Sequence, residues 1–472
     1  MAERLVVIGG DAAGMSAASQ ARRRRGPDDL EIVAFERGGY TSYSACGIPY
    51  WIGDVVDGPD ALIARTPEVF RDKYGIDVRL HSEVTAIDLD RREVEVRDHG
   101  KAETYRHGFD QLVVATGAVP LRPPVPGIDA GGVFGVQVLD DGVAVRRAID
   151  DGAKRAVVVG AGYIGIEMAE AMVEHGLDVT VVTREEQPMA TLDPDMGRLV
   201  RDAMADLGIA VRTGELVQGI ETSRDGTVEA VTTDGGTYPA DIVVLGTGVR
   251  PNTDLARDAG IALGRSGGIC VDLRMRAGGD GVDGVWAGGD CVESYDLVSR
   301  RPVHVPLGTH ANKQGRVIGI NIGGGYATFP GVVRTAVSKV CSLEIARTGM
   351  LEADCVAAGL RFVTAIVEST TRAGYYPGAA PITVKLIAEV RSGRLLGAQI
   401  VGREGAAKRI DTLAVALWNE MNVEEMTSLD LSYAPPFSPV WDPVLIAARK
   451  AWDAVEDDIQ RWHRASSPPD AR

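Results

Sequence analysis

Two stretches of this chain repeat one plan, and that repeat limits what it can become. The first is Leu5-Val6-Val7-Ile8-Gly9-Gly10-Asp11-Ala12-Ala13-Gly14, followed by a helix of small residues and then Glu31-Ile32-Val33-Ala34-Phe35-Glu36. The second is Ala156-Val157-Val158-Val159-Gly160-Ala161-Gly162-Tyr163-Ile164-Gly165, then a helix, then Asp178-Val179-Thr180-Val181-Val182. Strand, glycine turn, helix and strand form the βαβ unit of a doubly wound parallel sheet. One such pattern is weak evidence for a nucleotide. Two in the same context predict two nucleotide sites.

The second turn is complete, with Gly160, Gly162 and Gly165 placed so that backbone N–H groups and the helix N-terminus approach a pyrophosphate. The first keeps Gly9 and Gly14 but carries Asp11 at the middle glycine position. A carboxylate there repels a pyrophosphate unless it faces away or caps the helix, and the cap is the expectation. Glu36 ends the next strand, where an acceptor for ribose hydroxyls belongs. The second unit lacks that acid and continues as Thr183-Arg184. Loss of the carboxylate and gain of an arginine favour a 2′-phosphate, so NADPH is expected ahead of NADH, with NADH left open.

Length and charge narrow the setting. The 472 residues suffice for roughly three domains, and a formal charge of -16 argues against nucleic acid or an anionic membrane as partner. The exception is Arg22-Arg23-Arg24-Arg25, which reads either as a solvated helix end or as a local anion site. Five dispersed cysteines, without CxxC or metal-ligand spacing, fit a reducing cytoplasm and predict no metal site. The chain enters a strand at Arg4–Ile8 with no signal-peptide pattern, and no apolar run approaches a membrane span. From about residue 331 the pattern becomes strands (Phe362–Val367, Ile382–Val390, Leu395–Val401) before a helix (Ala406–Met421), an α+β domain of another type. Arg122-Pro123-Pro124-Val125-Pro126-Gly127 reads as a crossing between domains, and residues 461–472 as a disordered tail.

Four further segments stand in a recognisable order: Thr41-Ser42-Tyr43-Ser44-Ala45-Cys46-Gly47-Ile48-Pro49-Tyr50, Ala115-Thr116-Gly117, Thr247-Gly248-Val249-Arg250-Pro251-Asn252 and Gly288-Gly289-Asp290. With the two glycine turns they resemble the pyridine nucleotide–disulfide oxidoreductases over roughly residues 3 to 450, in the single-cysteine branch. That branch holds coenzyme A disulfide reductases, CoA-persulfide reductases, NADH oxidases and NADH peroxidases. The resemblance implies an α/β fold with two Rossmann-like nucleotide-binding domains, for FAD and NAD(P), and a C-terminal α+β dimerisation domain. The expected division is 1–121 and 249–330 for FAD, 122–248 for NAD(P) and 331–460 for dimerisation.

The resemblance also implies roles. Gly9, Asp11, Ala12, Gly14, Glu36, Ala115, Thr116, Gly117 and Asp290 would line the FAD site. Gly160, Gly162, Tyr163, Ile164, Gly165, Glu167, Thr183, Arg184 and Gly248 would line the NAD(P) site, with Tyr163 and Glu167 near the nicotinamide. The helix near Thr309–Ile322 would aim its N-terminus at the flavin. Cys46 has no second cysteine at short spacing, so one thiol would relay electrons alone. The family's oxidases and peroxidases place a histidine in the first glycine turn where this chain has Ala12, which counts against peroxide cleavage.

Tyr375-Tyr376-Pro377 and Tyr433-Ala434-Pro435-Pro436-Phe437 resemble motifs that reach the cysteine of the other subunit, with Tyr375 favoured over Tyr376. Gln20, Arg23 and Ser42 match the family's CoA contacts by position, while Ala45 replaces a frequent asparagine. No rhodanese-like extension follows the dimerisation segment. The expected protein is thus a cytoplasmic homodimer with a shared active site. It would use NAD(P)H and FAD to reduce a disulfide or persulfide of CoA or a similar small thiol. An NAD(P)H oxidase or peroxidase cycling a sulfenic acid is the alternative, and a flavin-bound redox sensor a third reading.

Overall fold

A computed structural model describes residues 2–278 and 282–466 of the chain. β1 (Glu3–Ile8) runs through the first glycine turn into α1 (Ala12–Arg22) and β2 (Leu30–Phe35). α2 (Ile48–Ile52), β3 (Asp77–Arg79) and β4 (Gln111–Val114) follow. The chain then crosses to β5 (Val133–Gly135), β6 (Arg155–Val159), α3 (Tyr163–Glu174), β7 (Asp178–Thr183), α4 (Pro194–Asp206), β8 (Ala210–Thr213) and β9 (Ile242–Leu245). It returns for β10 (Val285–Ala287) and α5 (Gly308–Ile322).

Two five-stranded parallel sheets result, ordered β10-β4-β1-β2-β3 and β8-β7-β6-β9-β5. The last four residues of β1 and of β6 are buried, as strands covered on both faces require. β10 completes the first sheet beside β4, so the chain leaves that sheet and comes back to it. Small antiparallel sheets at 82–108 and 217–239 are attached to the two halves.

The crossing points are clasped together. The Thr116 hydroxyl donates to the Asn252 carbonyl at 2.6 Å, and the Asn252 side-chain amide donates to the Thr116 carbonyl at 3.2 Å. The Leu121 amide donates to the Gly248 carbonyl at 2.9 Å, and the Thr247 hydroxyl donates to the Leu121 carbonyl at 2.5 Å. The motifs at 115–117 and 247–252 therefore form one joint at which both connecting strands pass.

The C-terminal unit is an antiparallel sheet of β11 (Ala336–Val340), β12 (Leu343–Gly349), β13 (Phe362–Thr370), β14 (Pro381–Glu389) and β15 (Leu395–Gly402), ordered β11-β12-β15-β14-β13. Helices Glu352–Ala357, Ile410–Trp418 and Pro443–Ser466 accompany it. Two expectations are corrected here. The helix expected over 406–421 is a 3₁₀ turn at Ala407–Arg409 and a shorter helix, Ile410–Trp418, because Glu420 takes a left-handed φ of 53° just beyond it. Residues 461–466, expected in a disordered tail, belong instead to the last helix, which continues to Ser466 with Ala447, Ala448, Ala451 and Val455 buried against the sheet; the rest of the expected tail, 467–472, lies outside the described residues. No described helix is long and apolar enough to cross a membrane.

Candidate active site

Both glycine turns have the geometry that a dinucleotide needs. Gly9 and Gly160 adopt φ of +106° and +102°, and a Cβ on either would strike the backbone of the neighbouring strand's exit, at Ala115 and Gly246. A Cβ on Gly14 or Gly165 would strike the carbonyl of the first glycine of its own turn. Neither α1 nor α3 is capped by a side chain, which leaves first-turn N–H groups facing outward for an anion. α5 is likewise without a side-chain cap.

The acid expected at the end of β2 is in place. Glu36 accepts from the amides of Gly10 at 2.8 Å and Gly38 at 2.7 Å, which fixes its carboxylate beside the first turn. These features fit FAD at the first turn. Asp290 follows β10 through Gly288-Gly289, and burial raises its pKa. Its carbonyl is bound by His304 at 2.8 Å.

Asp11 corrects an expectation. It occupies the N-cap position of α1, but its side chain makes no cap hydrogen bond. Burial and then the Glu36 carboxylate push its pKa up to about 6, opposed by the facing amides of Tyr43 and Ala12. The carboxyl therefore stays neutral at low pH and becomes an anion beside the pyrophosphate position above about pH 6. FAD affinity of the wild type is expected to fall as pH rises above about 6. In Asp11→Asn that fall should be absent, as flavin fluorescence on release would report.

The cysteine segment is stitched to the same turn. The Ser42 amide donates to the Gly10 carbonyl at 3.0 Å, the Thr41 hydroxyl donates to the same oxygen, and Ser42 itself has a φ of 51°. Cys46 then sits exposed in the 3₁₀ turn Ala45–Gly47, just before α2. All five cysteines are free, so no second thiol of the chain competes for Cys46. Desolvation by surrounding atoms, then Glu167 and Asp290, hold the Cys46 thiol above its usual range. The polypeptide alone thus opposes the thiolate, and its stabilisation falls to what binds beside it.

At the second turn, burial raises the pKa of Tyr163 and of Glu167, and Glu167 accepts from the Ser338 hydroxyl of β11 at 2.7 Å. Ile164 and Gly165 complete the first turn of α3. Thr183 is buried at the end of β7, and its hydroxyl accepts from the Glu185 amide at 3.3 Å. Arg184 is 77% exposed and, among the described residues, pairs only with adjacent Glu185 at 2.9 Å, a weak surface contact that a phosphate can displace.

The basic run divides. Arg22 donates to the carbonyls of Arg25 and Gly75, and Arg25 pairs with Glu3, so both serve the fold. Arg23 and Arg24 are exposed and make no ion pair among the described residues. Gln20 lies half-buried on α1, roughly 12 Å along the helix from Ala12. The tyrosine motifs converge: Tyr375 is 77% exposed and Tyr433 46% exposed, and the hydrogen bond that the Tyr433 hydroxyl donates toward Tyr375 raises the Tyr433 pKa. Tyr376 is half-buried outside that pair. Phe437, Val440 and Trp441 are exposed on the same domain.

Sequence reasoning missed the contacts between the second nucleotide unit and the C-terminal sheet. Lys385 and Gln399, with Ser338 and Cys341, carry them, and a lysine inside the apolar strand Ile382-Thr383-Val384-Lys385-Leu386-Ile387 was the available signal.

Comparison with known proteins agrees with this geometry. Residues 3–315 match the family model described as pyridine nucleotide-disulphide oxidoreductase, and 335–443 match its dimerisation domain. An NAD(P)H coenzyme A polysulfide/persulfide reductase of Pyrococcus horikoshii is 38% identical over 95% of this chain and 98% of that protein. An NADH oxidase of Methanocaldococcus jannaschii is also 38% identical, over 95% of this chain and 98% of its own. The solved structure of an NAD-dependent persulfide reductase from A. fulgidus superposes with a TM-score of 0.93 at 41% identity, covering 97% of this chain and 84% of that one. The chain belongs to the pyridine nucleotide-disulphide oxidoreductases, a family of FAD-dependent enzymes.

Proposed function

We propose that this enzyme uses NADPH to reduce the disulfide or persulfide of coenzyme A, or of a similar small thiol, through Cys46 alone. The observation that carries the reading is the Cys46 turn: one exposed thiol tied through Ser42 and Gly10 to the first nucleotide turn, with no cysteine bonded to it and Ala12 where peroxide chemistry would need an imidazole. The similar Pyrococcus and A. fulgidus proteins are named for persulfide reduction, which supports this substrate class.

Bound FAD supplies the two-electron step between nicotinamide and sulfur. The chain's own part begins with Cys46, whose thiolate attacks one substrate sulfur, breaks the S–S bond and releases one thiol. Two electrons then break the mixed disulfide, the second thiol leaves with a proton, and Cys46 returns to thiolate. Tyr433, whose pKa is raised by its hydrogen bond with Tyr375, holds its proton as a phenol and supplies it, the Tyr433–Tyr375 pair of each subunit serving the cysteine of the other in a homodimer. Arg23, with Gln20 and Ser42, takes the phosphate-bearing end of the substrate.

Turnover of NADPH with CoA disulfide, CoA persulfide, hydrogen peroxide and oxygen separates the readings. Fast reaction with either thiol substrate and slow reaction with both oxidants is expected. The reverse order would establish the oxidase or peroxidase reading, which the Methanocaldococcus relative's name favours. Arg184→Ala is expected to raise the KM for NADPH roughly tenfold, the loss of one charge-assisted hydrogen bond, with little change for NADH. Equal effects on both nucleotides would refute the 2′-phosphate contact.

A further inference from the structure

Three side chains stand in one row across the C-terminal sheet and face the second nucleotide unit. Arg347 on β12 is directly opposite Gln399 on β15, and Gln399 is directly opposite Lys385 on β14. Period-2 alternation puts all three on one face, since paired residues share a side of the sheet.

Lys385 is 1% exposed, and its ammonium lies 3.0 Å from Asp193, 2.7 Å from Asp195 and 2.6 Å from Glu352. Burial alone would lower its pKa, but hydrogen bonds with these carboxylates hold it above the ordinary lysine range. Gln399 grips Asp193 twice: its amide donates to the carboxylate at 2.6 Å, and its oxygen accepts from the Asp193 backbone N–H at 2.8 Å. The other Asp193 oxygen accepts from the Glu352 amide at 3.0 Å. Asp193 is 3% exposed, so every polar atom of its carboxylate is accounted for within this cluster.

Asp193 ends the segment that leaves β7 at Thr183-Arg184 and precedes α4. Midway, the Met189 amide donates to the Ala161 carbonyl, inside the second glycine turn, at 2.7 Å. The segment is thus tied to the turn in its middle and to the C-terminal sheet at its end. Arg347 extends the row toward α3, where it lies within electrostatic reach of Tyr163 and makes no ion pair among the described residues.

We infer that Lys385 and Gln399 are positioning residues for the nicotinamide nucleotide: through Asp193 the dimerisation domain holds the segment Arg184–Asp193 in the shape that receives the nucleotide's adenosine end. The inference rests on the reading that the second glycine turn binds NAD(P)H. It assigns the C-terminal domain a part in nucleotide affinity, beyond joining two subunits. The ion cluster serves register rather than net stability, because a buried cation with three carboxylates gains little over an apolar replacement of the whole set.

The test measures NADP+ affinity of the FAD-loaded protein directly by titration, together with FAD content and the two KM values. Lys385→Met is expected to weaken NADP+ at least tenfold and Gln399→Leu severalfold. Lys385→Arg should stay within threefold of wild type, and FAD content and acceptor KM should stay within twofold throughout. Gln399→Leu keeps the lysine and its three carboxylates, removing only the amide's two bonds to Asp193, and decides the matter should Lys385→Met fail to fold. Unchanged NADP+ affinity in Gln399→Leu, or parallel loss of FAD, nucleotide and acceptor binding, would overturn the inference. A wild-type protein that binds neither NADP+ nor NAD+ would instead refute the nucleotide site on which it stands.

Discussion

Cys46→Ser is expected to lower turnover with a thiol disulfide by on the order of a thousandfold or more while FAD stays bound. The reason is chemical. A hydroxyl forms no disulfide, and its pKa lies far above that of a thiol, so neither attack on sulfur nor storage of the leaving group remains possible. The other four cysteines offer no substitute. Cys291 is buried, with its sulfur against the carbonyls of Val114 and Gly288, and Cys355 is buried in the C-terminal core. Cys341 is half-buried in a turn, where desolvation and then Glu170 push its pKa up to about 12. Cys270 is exposed, but partial burial and then Glu293 raise its pKa. Full activity in the serine variant, measured as NADPH consumption with purified substrate, would make Cys46 a bystander.

Glu36→Ala carries the second large effect, on the cofactor rather than the sulfur. The Glu36 carboxylate holds the amides of Gly10 and Gly38 and keeps lone pairs free for ribose hydroxyls. Removing it deletes charge-assisted hydrogen bonds worth about 1.5–3 kcal/mol each and also frees the Gly10 turn that carries the cysteine segment. FAD affinity is expected to fall roughly a hundredfold, and the protein should purify largely without colour unless FAD is added. Glu36→Gln keeps an acceptor for one amide and should fall between alanine and wild type. Normal flavin content in the alanine variant would show that Glu36 serves the turn alone.

The legible part of this chain was the part governed by neighbours in sequence. Leu5–Gly14 and Ala156–Gly165 state their structure because a strand, a turn that only glycine fits and a helix start all fall within ten residues. The strands at 362, 382 and 395 were legible for the same reason, and their observed ends differ from expectation by only a few residues. The Tyr375 and Tyr433 motifs came from resemblance, and the fold adds that the two side chains lie close enough for Tyr375 to raise the Tyr433 pKa.

What sequence did not show was set by distant partners. Asp11 stands at the helix start where a cap belongs, yet its environment is decided by Glu36 and by the Tyr43 segment, neither of which is adjacent in sequence. The Cys46 setting likewise depends on Glu167 of the other nucleotide unit and on Asp290 of the returning strand. Lys385 meets Asp193 across 192 positions only because two domains dock, and strand periodicity alone gives a buried lysine no partner.

The account turns on Cys46 carrying the substrate's sulfur during the cycle. Mass spectrometry of the intact protein after mixing with excess CoA disulfide, and again after one equivalent of NADPH without oxygen, tests this directly. The expected result is one CoA mass added per subunit at the Cys46 peptide, lost on reduction with release of one thiol. A Cys46 peptide that never gains that mass, or that gains only a single oxygen atom while NADPH is consumed, would contradict it.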